Sequence, residues 1–159
     1  MVVGITGHMN LKARNSHQWV RKALFHWMAS NDIDLAITCL APGTDQLFAR
    51  NCIRQSIPYR VILPCQGYQE LFDLPDQIEM AKLMERAQAL VQLDGPPSEQ
   101  AFWEASLMMV DQLDILLAVW DGLPARGLGG TAQVVSDALE KMKHVIHFDI
   151  QTQQITNLE

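Results

Sequence analysis

The sequence predicts an α/β fold, a three-layer sandwich on a mainly parallel sheet of about five strands. Two observations predict it. Short apolar segments rich in β-branched residues alternate with longer segments of helical spacing, and the short ones read as continuous apolar runs. The 159 residues also suffice for one domain with a proper core, at 48% hydrophobic and 19% charged.

Taken in order, Met1 to Thr6 is a buried strand, broken by Gly7-His8-Met9-Asn10. Ser16 to Ala29 follows as a helix whose apolar face holds Trp19, Val20, Ala23, Leu24 and Trp27. Asn31-Asp32 ends it, and Leu35 to Leu40 is the second strand. After the sharp Ala41-Pro42-Gly43 loop, Gly43 or Thr44 takes the N-cap of a helix from Asp45 to Gln55, which buries Leu47, Phe48 and Cys52. Pro58 marks a turn into the strand Arg60 to Pro64. A loop from Gln66 to Leu74 carries Tyr68 and Phe72, and Pro75 to Leu90 reads as helix. Asp94-Gly95-Pro96-Pro97 is a surface loop, too short and too central for a domain linker. Ser98 caps a helix to about Gln112. The strand Ile115 to Trp120, a Gly-rich loop, the helix Thr131 to Lys141 and the strand His144 to Asp149 complete the series. Residues 1–150 therefore form one domain. The tail 151–159 is polar, and reads either as mobile or as an edge strand.

Charge narrows the partners. A net charge of -6 and no basic cluster argue against a nucleic-acid binder that works by phosphate neutralisation. A small anion is still compatible, because backbone N–H groups hold one without net positive charge. Three cysteines without a CxxC pair give neither a disulfide scaffold nor a zinc site, and fit reduced thiols in a cytoplasm. MVVGITGH lacks the basic lead and long apolar core of a signal peptide, and no stretch reaches transmembrane length, so no membrane association is expected. No His, Cys and carboxylate cluster has metal spacing, and no cofactor is called for.

The stretch LLAVWDGLPARGLGGTAQVV, Leu116 to Val135, is the strongest functional signal: a strand, a Gly-rich loop and a helix start. Helix starts carry unpaired N–H groups and the positive end of the dipole, and Gly127, Gly129 and Gly130 allow an anion close to the backbone. Ligands of open parallel sheets sit beyond the carboxyl ends of the strands where strand order reverses. Gly7-His8, Ala41 to Asp45, Pro64-Cys65 and Asp121 to Thr131 all follow strands and should gather at that edge.

ITGH (Ile5–His8), APGTDQLFA (Ala41–Ala49), VILP (Val61–Pro64) and AVWDGLPARGLGGTAQVV (Ala118–Val135) recur in this order. Together they resemble the SLOG superfamily, the Rossmann-like domains related to DNA-processing protein A and the "lonely guy" phosphoribohydrolases. The likeness spans nearly the whole chain and is nearest to small stand-alone bacterial members. It implies a Rossmann-like fold that binds nucleotides or their derivatives at the sheet edge. Some members hydrolyse a base–ribose bond, some sense nucleotides, and others bind single-stranded DNA. The phosphoribohydrolases carry PGGxGTxxE; here the matching residues are Arg126-Gly127-Leu128-Gly129-Gly130-Thr131, and Val134 stands where the glutamate acts. Valine can be neither base nor nucleophile. Nucleoside deoxyribosyltransferases, with a DG…GTxxE arrangement, fail the same test. Relatives often continue ITGH with Arg, where this chain has Met9.

The individual residues each have a functional and a plain reading. Asp45 can bond ribose hydroxyls or serve as acid or base; in a first helical turn it also favours the dipole by roughly 0.3–1 kcal/mol. Asp121 can orient a ribose, or bond its own turn. His8 can contact a phosphate, or fix the turn after the first strand. Trp120 borders the cleft or belongs to the core, and His144 and His147 are structural. Glu104 is a substitute carboxylate if it reaches the cleft, and a solvated helix residue if it does not.

The sequence thus predicts a sensor or carrier module. Phosphate would lie on Gly127, Gly129, Gly130 and Thr131 and beside Gly7 and His8, with Gly43, Thr44 and Asp45 at the ribose or a second phosphate. The alternative is an N-glycosidic-bond hydrolase whose carboxylate has moved to Asp45, Asp121 or Glu104. Trp19, Trp27, Phe102 and Trp103 supply either a homodimer surface or core.

Overall fold

The structure is a computed structural model in which residues 1–12, 15–125 and 127–159 are described. Seven strands form one sheet: β1 (Val2–Gly7), β2 (Leu35–Thr38), β3 (Tyr59–Leu63), β4 (Ala89–Gln92), β5 (Ile115–Trp120), β6 (His144–Asp149) and β7 (Gln154–Leu158). Among the described residues five α-helices connect them, α1 (His17–Ala29), α2 (Thr44–Gln55), α3 (Leu74–Arg86), α4 (Glu99–Asp111) and α5 (Thr131–Glu140), and a short 3-10 turn spans Gln69–Leu71. Spatial order is β4-β3-β2-β1-β5-β6-β7. β1 to β6 run parallel and β7 is antiparallel to β6.

The chain builds outward from β1 to β4, then returns to the other side of β1 to lay down β5. Parallel crossovers are right-handed, so reversing direction moves the connecting helices to the opposite face. The core shows this division. Val20 and Leu24 of α1, Phe48 and Cys52 of α2 and Met80 and Leu83 of α3 pack with Val3, Ile5, Val61, Leu117 and Val119. Ala105, Met109 and Val110 of α4 and Val134, Val135 and Ala138 of α5 pack with Ile37, Ile62, Leu116, Ala118 and Val145. Leu116 and Ala118 face one layer and Leu117 and Val119 the other, as strand alternation requires. The Tyr59 hydroxyl donates to the Leu83 carbonyl and ties β3 to α3. Trp19, Trp27, Phe102 and Trp103 all pack against the two cores, which favours the core reading of these residues.

The sheet exceeds the expected five strands at both edges. At one edge, the helix expected to Leu90 stops at Arg86, and Ala89–Gln92 leaves as β4. No Gly or Pro marks that break, and AQALVQL suits either period. At the other edge, the 151–159 tail forms β7. The Asp149 carboxylate accepts from the N–H groups of Gln151 (2.8 Å) and Thr152 (3.2 Å), closing the turn that brings β7 back. Among the described residues no helix is long and apolar enough to cross a membrane.

Candidate functional site

The order reversal lies between β1 and β5, and a cavity of about 580 Å³ opens beyond their carboxyl ends. Its floor is Gly7 and His8 after β1 and Trp120 and Asp121 after β5. The His8 N–H donates to the Val119 carbonyl at 3.0 Å, extending the β1–β5 ladder by one bond. His8 Nε2 then lies 3.3 Å from Asp121 Oδ1, so the two loops are joined across the floor. Asp121 Oδ1 also accepts from the Leu123 N–H at 3.2 Å, and the Trp120 indole N–H donates to the Leu123 carbonyl at 3.0 Å. Both bonds shape the start of the Gly-rich loop. His147 is structural as expected: Nε2 lies 3.1 Å from the Trp120 carbonyl, and its ring lies 4.2 Å from the indole.

Asp45 enters the cavity lining from the first turn of α2. Oδ2 accepts from the Thr38 hydroxyl and the Cys39 N–H, each at 3.1 Å. Burial pushes its pKa up to about 7, against the bonds from Thr38, Cys39 and Ala41 that pull it down. Burial also raises the Cys39 thiol, with Asp45 adding to the effect, which makes this cleft cysteine a poor nucleophile. Gly43 and Thr44 are not among the residues that line the cavity. Thr44 donates its hydroxyl to the His8 carbonyl at 2.8 Å and so holds the loop that presents His8. Gly43 has φ +82, and a Cβ there would lie 2.0 Å from the Met9 carbonyl oxygen. Only glycine fits this approach. The Gly43-Thr44-Asp45 triplet therefore fastens one loop to another and offers only Asp45 to the cleft.

The opposite rim is the start of α5, where Gly129, Gly130, Thr131 and Ala132 line the cavity. Gly129 has φ +80, and its N–H donates to Gln133 Oε1 at 2.8 Å. Gly130 caps α5 without a side chain, and no acidic residue occupies the first turn. Arg126 of the expected phosphate loop lies outside the described residues. Gly127 lines a separate shallow depression with Leu128, Gln133 and Ser136 instead of the main cavity. Glu104 is exposed on α4, accepts from the Gln100 side chain at 3.0 Å and does not line the cavity.

No protein-family model and no curated protein matches the chain. Solved structures do. DNA processing protein A from Streptococcus pneumoniae superposes with a TM-score of 0.60 at 12% identity, over 91% of this chain and 49% of that one. The structural-genomics target TM1055 gives 0.59 at 14% identity, over 91% and 71%. DNA processing protein A from Helicobacter pylori, a single-stranded DNA binder, gives 0.54 at 15%, over 96% and 77%. The chain shares the α/β three-layer fold of these proteins. It spans about half the length of the streptococcal protein.

Within this fold Val134 is buried, 1% exposed, in the layer between α5 and the sheet. The position that the motif resemblance gives to the phosphoribohydrolase glutamate is therefore filled by core. Asp45 and Asp121 are the carboxylates that line the cavity among the described residues, and each is already hydrogen-bonded to backbone.

Sequence reasoning missed the third wall. Tyr68, Leu71 and Phe72, from the segment between β3 and α3, line the cavity with Phe102 and Met109 of α4. Tyr68 is buried, with its ring 5.1 Å from Phe72 and 6.1 Å from Phe102. Burial, followed by the neighbouring Cys39, Asp45 and Cys65, holds its hydroxyl well above the usual tyrosine range. The signal was present: two aromatic residues in a loop that leaves the carboxyl end of a central strand.

Proposed function

We propose that the chain binds a nucleotide or nucleotide-derived ligand in this cleft and acts as a sensor or carrier module without turnover. The start of α5 carries the reading. Its first residues line the cavity with neither a side-chain cap nor an acidic residue to offset the dipole, and a helix start left in that state attracts an anion. At the start of α2, by contrast, the Asp45 carboxyl already occupies the first turn, so one phosphate suits the cleft better than two separate ones. Val134 in place of a carboxylate supports binding over hydrolysis. The net charge of -6 disfavours the single-stranded DNA binding of the Helicobacter pylori neighbour.

A hydrolase reading has one observation in its favour, the cleft-lining Asp45 with a pKa near 7, in the range of a working acid or base. One experiment separates the two. The purified protein is denatured and its released small molecules are identified by mass spectrometry; native protein is then incubated with nucleoside monophosphates and free base is followed. Retained nucleotide with no base release is expected. Base release that disappears in Asp45→Asn or Asp121→Asn would instead establish a relocated carboxylate. Gly130→Val tests the phosphate position. Its φ of -67 accepts a side chain, and the new Cβ lies 3.0 Å from that of Ala125, so lost binding reports crowding of the loop. Undiminished binding in that variant would place the phosphate elsewhere.

A further inference from the structure

Large apolar side chains exposed at the mouth of a cavity cost solvation in the empty protein, and gain it back when a ligand with an apolar surface covers them. Met9, Leu71 and Leu123 are 56%, 47% and 51% exposed, come from three different connecting segments, and all line this one cavity. Beneath them Phe72 and Phe102 are half-buried, from the β3–α3 segment and from α4. The buried Tyr68 ring backs both: it meets Phe72 edge-on at 89° and Phe102 at 56°. Tyr68 therefore fixes two phenyl rings of different elements in place while leaving part of each open to the cavity. Rings held this way offer faces and edges to a further aromatic ring without losing rotamer freedom on contact.

We infer that Phe72 and Phe102, seated on Tyr68 beneath the Met9–Leu71–Leu123 collar, form a subsite for a planar aromatic heterocycle, the base of the ligand. The inference rests on the nucleotide reading for the phosphate end, since the α5 start lines the same cavity, and assigns the ligand's opposite end. The ligand class is then a nucleoside monophosphate whose base packs on this wall. The aromatic wall contributes affinity that a sugar phosphate alone cannot draw on.

Titration calorimetry with adenosine monophosphate, adenine and ribose 5-phosphate tests it on the wild type, Phe72→Leu and Phe102→Leu. Leucine keeps apolar bulk and removes the ring. Adenosine monophosphate and adenine should weaken about tenfold in each variant, within what one base–aromatic stack contributes, while ribose 5-phosphate stays unchanged and reports an intact fold. Equal loss of ribose 5-phosphate would reduce these rings to shape alone and overturn the subsite. So would wild-type binding of adenosine monophosphate no tighter than that of ribose 5-phosphate, an outcome that leaves the phosphate site standing. Adenine bound without either phosphorylated probe would sink the nucleotide reading and uphold the aromatic subsite. If no probe binds, both fail.

Discussion

At the scale of single residues, Asp45 shows how one carboxyl couples a loop to the pH. Its pKa is about 7 in the folded protein against 3.8 for an exposed aspartate. The folded state thus holds a proton that the unfolded state has released, and the stabilisation is full below about 3.8 and lost as pH rises through about 7. Melting temperature should therefore fall between pH 5 and pH 8 by a few degrees more in the wild type than in Asp45→Asn. The asparagine keeps an acceptor for Thr38 and Cys39 and cannot ionise. Equal slopes in thermal melts of the two proteins would show that the carboxyl does not titrate in this range. Sequence alone placed Asp45 at the cleft, but its burial and its bonds back to β2 come from the α2 start packing onto the loop after β1. Glu104 shows the reverse: its spacing on α4 left both faces open, and the packing turned it to solvent.

At the scale of elements, the loop before α2 is the stiffest demand on the chain. Gly43→Ala meets both a positive φ and the Met9 carbonyl at 2.0 Å, while Gly67→Ala, at φ +69, meets only a glutamate oxygen at 3.9 Å. Gly67→Ala should cost about 1–2 kcal/mol, the left-handed penalty alone, and Gly43→Ala clearly more, because the α2 start must move away from Met9. Denaturant melts of the pair measure the difference; equal costs would mean that the β1 loop yields freely. The strongly periodic helices were legible in the sequence because one packed face sets their apolar period, and the buried strands because packing on both faces makes them continuous apolar runs. β4 was not. All four of its residues are exposed, so burial left no pattern on it, and its identity as a strand comes from pairing with Arg60 to Leu63 of β3.

At the scale of the whole molecule, β7 closes the sheet at β6, and its pairing with Val145 to Asp149 covers that edge. Deleting residues 154–159 should lower the melting temperature, by roughly 2–4 °C for each kcal/mol of lost pairing in a chain of this size. It should also increase aggregation, because β6 becomes an unpaired edge carrying Val145 and Phe148. Light scattering and a thermal melt of the truncated chain check both; an unchanged melt would make β7 an ornament of the fold. The polar QITNL gives little hint of this role, since an edge strand is held by backbone bonds that any side chain permits.

By itself, the sequence determined the α/β class, the parallel core strands and the strand–loop–helix segments that meet at one edge, because hydrophobic period and glycine placement are local properties. Only the tertiary structure decided which of those segments form the cavity. It turned Gly43 and Thr44 into fasteners, set Gly127 and Glu104 outside, and brought Tyr68, Phe72 and Phe102 in as a wall. The physical reason is that a cleft side chain and a structural one differ in what packs against them across the sheet edge, and those partners lie tens of residues away along the chain.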